Sequence, residues 1–440
     1  MSILKKPNIL MVISHDTGRH LGSYGRKVET PELNRIAEEG IQFDNYFCSQ
    51  PQCSPSRGSI LTGMYGHNHG LMGLTHLGHT MKSDIKTIPS EIKKAGYSTQ
   101  LFGFFHESID GEYTGEKLGY DRVVEVPGNA AEKVTDKLED FLNEKSRSRD
   151  ETPFYASVGF EETHRPFDHF EPDPVDSVEV PPYLPDTKEI REDIAHFQGS
   201  IKELDRAIGR IKKALETTGL DENTILIYTT DHGIAFPRAK GTLMDAGLET
   251  ALIMKFPKGM VKAGGKADAL LCNIDLMPTI LEIAGGEIPD EIDGYSFLPL
   301  IKEEQYESRD HFFCELTWHD RYHPMRGIRT NYYKYIRNFA DGPKVYLPFD
   351  IHESLSGQVV RDGYYVANTE EELYDLEQDP LEEVNLAGDE NYKHVLEDLR
   401  GKVEQWMHKT NDPLLKGPVP GMEAAEWKEE IKKGTVYRGK

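Results

Sequence analysis

Cysteine is scarce: Cys48, Cys53, Cys272 and Cys314 are the only four in 440 residues. Thiols spread so thinly cannot form a disulfide framework, and no C-x2-C spacing offers a zinc knuckle, so free thiols in a reducing compartment are expected. Long hydrophobic runs are missing too; none approaches the roughly 18 residues that a membrane-spanning helix needs. The opening MSILKKPNILMVIS has a short apolar stretch with no small-residue cleavage site after it, so no secretory leader is expected and a cytoplasmic location is inferred. Positive charge is in deficit, with 51 Lys+Arg against 75 Asp+Glu and a net charge of −24. That excludes a general nucleic-acid binder, which needs a basic stripe to displace counterions. An anionic substrate then requires a few cations gathered locally against the overall field. There is no internal repeat or low-complexity tract, and 38% hydrophobic with 29% charged residues is an ordinary globular balance.

The length allows roughly two or three domains. Asn8 to Ser14 (NILMVIS) is a continuous apolar run that predicts a strand buried on both faces. Pro31 to Gly40 predicts a helix with Thr30 as N-cap and Gly40 as its stop. From Arg191 to Thr218 apolar residues recur at steps of three and four, one face of a long helix that Gly219 terminates. Thr224 to Thr230 (TILIYTT) predicts a second buried strand, whereas Glu171 to Pro185, with five prolines, must be loop. Strands alternating with helices indicate an α/β layer with a mixed, largely parallel sheet. After about Gln305 short β-like runs appear at 311–316, 332–338 and 373–376, followed by a helical pattern from Tyr392 to Met407. We therefore expect a catalytic α/β domain over 1–305 and a smaller α+β domain over 306–440 that contributes to the substrate pocket.

Both buried strands end in a carboxylate–imidazole pair, His15-Asp16 and Asp231-His232. In open α/β sheets the functional crevice lies at the carboxyl ends of strands, so these four side chains can converge on a divalent cation. Read alone, each pair could equally cap the turn after its strand. Cys53 opens the segment Cys53-Ser54-Pro55-Ser56-Arg57-Gly58-Ser59-Ile60-Leu61-Thr62-Gly63, a proline turn leading into a helix with a thiol near its N-terminus. Helix dipole and guanidinium both lower a thiol's pKa.

This segment carries C-x-P-S-R-x-x-x-L-T-G, and with it the chain resembles the type I sulfatases of the alkaline-phosphatase-like superfamily. PNILMVISHD resembles that family's first strand and metal pair, and Leu184 to Gly233 its long helix, strand and second pair. His323 to Phe339, Glu372 to Leu386 and Thr410 to Pro413 are similar to the sulfamidase (heparan N-sulfatase) branch. The resemblance implies an alkaline-phosphatase-like fold and a sulfatase acting on a small anionic substrate, a sulfate ester or sulfamate of a sugar. It also implies conversion of the cysteine to formylglycine by a maturation enzyme. A hydrate offers two hydroxyls on one carbon: one attacks sulfur, and deprotonation of the other releases sulfate.

Carried over by position, the resemblance makes Asp16, Asp231 and His232 metal ligands, with residue 53 as a further one and His15 where the family has its first aspartate. Arg57 resembles the residue that holds the hydrate, and His106, in GFFH, the base for sulfate release. His164 and Lys240 resemble groups that bind sulfate and assist the leaving group. Phe104 stands where the family has a sulfate-binding lysine, and His323 and Arg326 are expected to supply the missing contact. The family implies Ca2+, whereas imidazole ligands suit Mn2+ or Zn2+. The phosphonate and phosphodiester hydrolases of the superfamily share the Asp-His pair and the formylglycine motif. A non-catalytic binding protein on a sulfatase scaffold is a further alternative, against which the intact Cys53 motif speaks.

Overall fold

The computed structural model describes residues 5–108, 115–148, 150–261 and 264–425; the ends of the two expected domains, 1–4 and 426–440, lie outside the described residues. Strand β1 (Asn8–Ser14) is buried along its whole length. Its alternate side chains serve two different cores: Leu10 and Val12 join one apolar cluster, Ile9, Met11 and Ile13 the other. That double duty is why the run shows no polar alternation.

The remaining strands of this sheet are β2 (Ile41–Phe43), β3 (Ser98–Gly103), β4 (Arg122–Val124), β5 (Phe154–Gly159), β6 (Thr224–Thr230), β7 (Leu252–Lys255) and β8 (Gly265–Ala267). They lie in the order β4-β3-β5-β1-β6-β7-β2-β8. β7 is antiparallel to both neighbours, and the other pairings are parallel. The register pairs Ser14 with Thr230 and Ile13 with Gly159, so the carboxyl ends of β5, β1 and β6 finish level.

Helices cover the sheet. α1 (Pro31–Glu39) follows Thr30, whose hydroxyl hydrogen bonds Gly22 N and Asn34 rather than capping the helix. The Glu32 and Leu33 N–H groups instead donate to Asp205, on another helix. Gly40 ends α1 in an extended conformation, not the left-handed turn a C-terminal glycine usually makes. Its need for glycine is spatial: a Cβ there would sit 2.4 Å from the Met254 carbonyl oxygen. α2 (Cys53–Thr62) and the long α3 (Lys188–Thr218) follow, the latter closed by Gly219 in the left-handed region.

A second sheet takes in β9 (His311–Trp318), β10 (Tyr322–Thr330), β11 (Tyr333–Asn338) and β12 (Glu371–Asp375), antiparallel in that order, with α4 (Lys393–Lys409) packed on it. β10 carries no run of apolar alternation, since Pro324, Arg326, Gly327 and Arg329 interrupt it, and the sequence does not announce it. The second sheet shares a core with Phe47, Tyr65 and Leu248 of the first part of the chain. No helix among the described residues is long and apolar enough to cross a membrane.

Candidate active site

The level strand ends set His15-Asp16 beside Asp231-His232. The Asp16 N–H donates to Asp231 Oδ1 at 2.9 Å, and His15 Nδ1 lies 2.7 Å from Asp16 Oδ1 and 3.4 Å from Asp231 Oδ2. His232 Nε2 stands 3.0 Å from Asp16 Oδ1. α2 delivers the fifth member. It begins at Cys53, every one of its residues is buried, and Ser56 Oγ ties its first turn to the Asp231 carbonyl. The ligand-type atoms of His15, Asp16, Cys53, Asp231 and His232 all lie within 4.8 Å of one another.

Cations surround this cluster. Arg57, one turn along α2, donates through Nε to Asp231 Oδ2 at 3.0 Å and through a terminal nitrogen to Ser14 O at 3.3 Å. Lys240 Nζ bridges Asp16 Oδ2 at 2.8 Å and Asp350 Oδ2 at 3.0 Å, with His164 Nε2 3.4 Å away. His164 donates its other ring nitrogen to the Arg165 carbonyl at 2.6 Å, so Nε2 is the atom it presents to the site. His106 faces Cys53 and stacks on His76, with ring centroids 5.7 Å apart and planes 7° from parallel. The Phe104 ring packs 4.8 Å from the Arg57 guanidinium carbon and 4.8 Å from the His15 ring centre, filling space among the charged groups without adding a charge.

Electrostatics follow from this crowding. Burial opposes charge on His15, Asp16, Cys53 and His232, but opposite charges at contact distance win. His232 is pushed up to about 10, burial being outweighed by Asp231 and Asp16. His15 is raised well above the ordinary imidazole value by Asp16 and Asp231, again against burial. Asp16, desolvated but beside Lys240 and His15, is held well below the carboxylate range. Burial pushes the Cys53 thiol up, yet Lys240 and His15 pull it well below the usual thiol range.

All four cysteines are buried and free, as expected. Nine of the eleven residues singled out from the sequence, Cys53, Arg57, His15, Asp16, His106, His164, Asp231, His232 and Lys240, stand in or against this cluster. The two expected from the second domain do not. Arg326 is fully buried, and each of its three guanidinium nitrogens is engaged by Asp412, Leu316 O, Thr317 Oγ1 or Met325 O, which commits it within the second part of the chain. His323 is buried and stacked on Tyr346, with ring centres 5.2 Å apart, and burial together with Arg321 pulls it down to about 4. The second sheet reaches Cys53 through His319 instead, at the turn between β9 and β10, with Asp320 beside it. Asp320 outweighs burial and raises His319 to about 9. A signal for this pair was available: His319-Asp320 repeats the imidazole–carboxylate dipeptide of residues 15–16. Asp350 and His76 have no such local mark.

Comparison with known proteins gives the family and the fold. The family model described as Sulfatase matches residues 7–286, and that described as N-sulphoglucosamine sulphohydrolase, C-terminal, matches 237–355. An ulvan-active sulfatase of Formosa agariphila is 31% identical over 95% of this chain and 83% of its own length. Human N-sulphoglucosamine sulphohydrolase is 27% identical over 93% of this chain and 92% of its own. A solved structure of a protein with its substrate D-glucosamine-2-N,6-O-disulfate shares the fold, with a TM-score of 0.71, 21% identity and coverage of 94% of this chain and 99% of that one.

Proposed function

The chain belongs to the sulfatase family, and from that premise we propose that it hydrolyses a sulfate ester or sulfamate of a sugar at residue 53, as formylglycine, beside one divalent metal ion. The observation that carries this reading is the delivery of Cys53, the first residue of a buried helix, into a cluster of two carboxylates and two imidazoles at the strand ends. Sugar substrates are supported by the ulvan and sulphoglucosamine relatives. A sulfamate is supported by the match of residues 237–355 to the sulphoglucosamine sulphohydrolase C-terminal model.

The donor set fits a cation. His232 Nδ1 pairs with the Gly233 carbonyl at 2.9 Å, while its Nε2 is buried with no aligned hydrogen-bond partner and faces Asp16. The carboxylates that favour a proton on that nitrogen favour a metal ion in its place. Asp16, Asp231 and His232 would hold the ion, with His15 adjoining, and two imidazoles shift the preference from Ca2+ towards Mn2+ or Zn2+. The Cys53 sulfur marks the place of the hydrate oxygens. In place, the ion and the hydrate supply charge neutralisation at the sulfuryl oxygens and a hydroxyl nucleophile.

The chain's own residues do the rest. Arg57, fixed by Asp231 and Ser14, holds the nucleophile in line. Lys240 offers N–H donors to the sulfuryl group and the leaving oxygen or nitrogen. His164, whose Nδ1 donates to Arg165 O, presents Nε2 as an acceptor that orients the Lys240 ammonium 3.4 Å away. His106, whose Nδ1 is buried without a partner, is placed to take the proton whose loss frees sulfate. Conversion of Cys53 requires a formylglycine-generating maturation enzyme.

The test uses protein produced with that maturation enzyme. Mass spectrometry should show sulfur and two hydrogens exchanged for one oxygen at position 53. N-sulfoglucosamine or a glucosamine O-sulfate should be turned over faster than matched phosphodiester and phosphonate substrates. Asp231→Ala should lose both bound metal and at least about a thousandfold in kcat/KM. Faster turnover of the phosphorus substrates, or full activity with an unmodified thiol, would overturn the assignment.

A further inference from the structure

Phe104 stands where the family resemblance puts a lysine, so the pocket lacks one of the cations expected around an anionic sulfuryl group with three terminal oxygens. Arg326, the expected replacement, is committed elsewhere. His319 is placed differently. It sits in the turn between β9 and β10, is 6% exposed, and its ring faces the Cys53 side chain. Within the chain its Nδ1 has only the Asp320 carboxylate, 3.6 Å away and beyond ordinary hydrogen-bond length, and its Nε2 has no hydrogen bond of good geometry. A buried imidazole with both polar atoms so poorly matched is costly, and such a group is retained where a ligand completes it.

Its surroundings are unfinished in the same way. Asp320 Oδ2 accepts the Phe349 N–H at 2.5 Å and lies 3.6 Å from His319 Nδ1, while Asp320 Oδ1 is buried and unmatched. The hydroxyl of Tyr346, whose ring centre is 6.3 Å from that of His319, is buried and unmatched as well. Tyr346 in turn touches the backbone next to Lys240, since a Cβ on Gly241 would meet its ring at 3.0 Å. The orphaned atoms of His319, Asp320 and Tyr346 thus come from two connections of the second sheet, the turn between β9 and β10 and the segment between β11 and β12.

We propose that His319 is a further catalytic residue that donates a hydrogen bond to the sulfuryl oxygens of the substrate at residue 53, in place of the lysine that Phe104 displaces, with Asp320 as its positioning residue. This rests on the sulfatase reading above. A carboxylate beside Nδ1 orients the ring and favours the imidazolium, in which both nitrogens carry a proton, so that Nε2–H faces the ligand as a donor. The strap that carries His319 comes from the second sheet, so the proposal also makes that sheet a direct part of the anion site.

The experiment uses the mature enzyme and two probes, the best sugar sulfate as substrate and inorganic sulfate as inhibitor. His319→Ala and His319→Gln should lower kcat/KM about 10- to 100-fold and weaken inhibition by sulfate about tenfold, with the melting temperature kept. Asp320→Asn should lower kcat less and displace the pH profile of kcat/KM, which a merely structural carboxylate would not do. Adding Phe104→Lys to His319→Ala should restore part of the lost activity, since it returns a cation to the same pocket. If mature wild-type enzyme turns over no sulfate, the sulfatase reading fails. If wild type is active and sulfate inhibition is unchanged in every folded His319 variant, or the lysine restores nothing, the assignment of His319 is wrong and the sulfatase reading stands.

Discussion

Arg326 carries its charge at zero exposure, matched by Asp412 through two N–H bonds and approached by Glu315 at 3.3 Å. Glu315 also accepts from His67. Removing one partner of such a network leaves the other charges buried and unpaired, which costs more than the network ever contributed. Arg326→Ala should therefore destabilise the fold by about 3 to 5 kcal/mol while the folded fraction keeps its KM for the sugar sulfate. Urea titration alongside steady-state kinetics separates the two; a raised KM at unchanged stability would return Arg326 to the pocket. The residue illustrates what a sequence does and does not carry. Asp16 and Asp231 were legible because each follows a buried strand directly, so strand and site are one local signal. Arg326 was misread because its carboxylate partner is 86 positions away, and the resemblance of its segment to the sulfamidases made it look like the replacement for the lysine absent at Phe104. Asp350 was invisible for the same reason: its place beside Lys240 is made by a contact across 110 positions.

At the level of elements, the boundaries of β1 and β6 and the stop of α3 were readable from apolar runs and a glycine, whereas β10 was not. Strand ends also set the site through backbone contacts that no pattern predicts. Phe104 follows β3, and its N–H donates to Gly159 O at the end of β5 at 2.9 Å. A Cβ at Gly159 would stand 1.8 Å from the Phe104 carbonyl oxygen, closer than any packing allows. Because the obstacle is backbone, the two strand ends must part, and the Phe104 ring must shift against Arg57. Gly159→Ala should cost about 1 to 3 kcal/mol in stability and should reduce kcat by displacing Arg57, without touching any charged group itself. Wild-type melting temperature and kcat together in that variant would mean the strand ends absorb the methyl group.

Across the whole molecule, paired buried cations contrast with a negative net charge. The two sheets are clasped by buried ion pairs: Asp245, ahead of β7, takes Arg329 at 3.0 Å and Lys334 at 2.6 Å from β10 and β11, and Lys334 also reaches Glu382 at 2.6 Å. The buried cations of this clasp are thus matched by carboxylates, and those around residue 53 stand among Asp16, Asp231 and Asp350, while the chain as a whole carries −24. An anionic sugar sulfate approaches against the long-range field and is attracted only at the pocket. Salt treats the two regimes differently. The outer repulsion acts through solvent and is screened as the Debye length falls from about 30 Å at 0.01 M to about 8 Å at 0.15 M, whereas the buried Lys240, Arg57 and His319 are shielded little. Raising chloride over that range should therefore increase kcat/KM for a monosulfated sugar a few-fold, and more for a doubly sulfated one, with kcat nearly constant. An enzyme that gathers its substrate with a basic surface does the reverse. Stopped-assay kinetics in sodium chloride, on mono- and disulfated sugars in parallel, give the sign directly; a fall in kcat/KM with salt would show that a local basic field, not the net charge, governs the encounter.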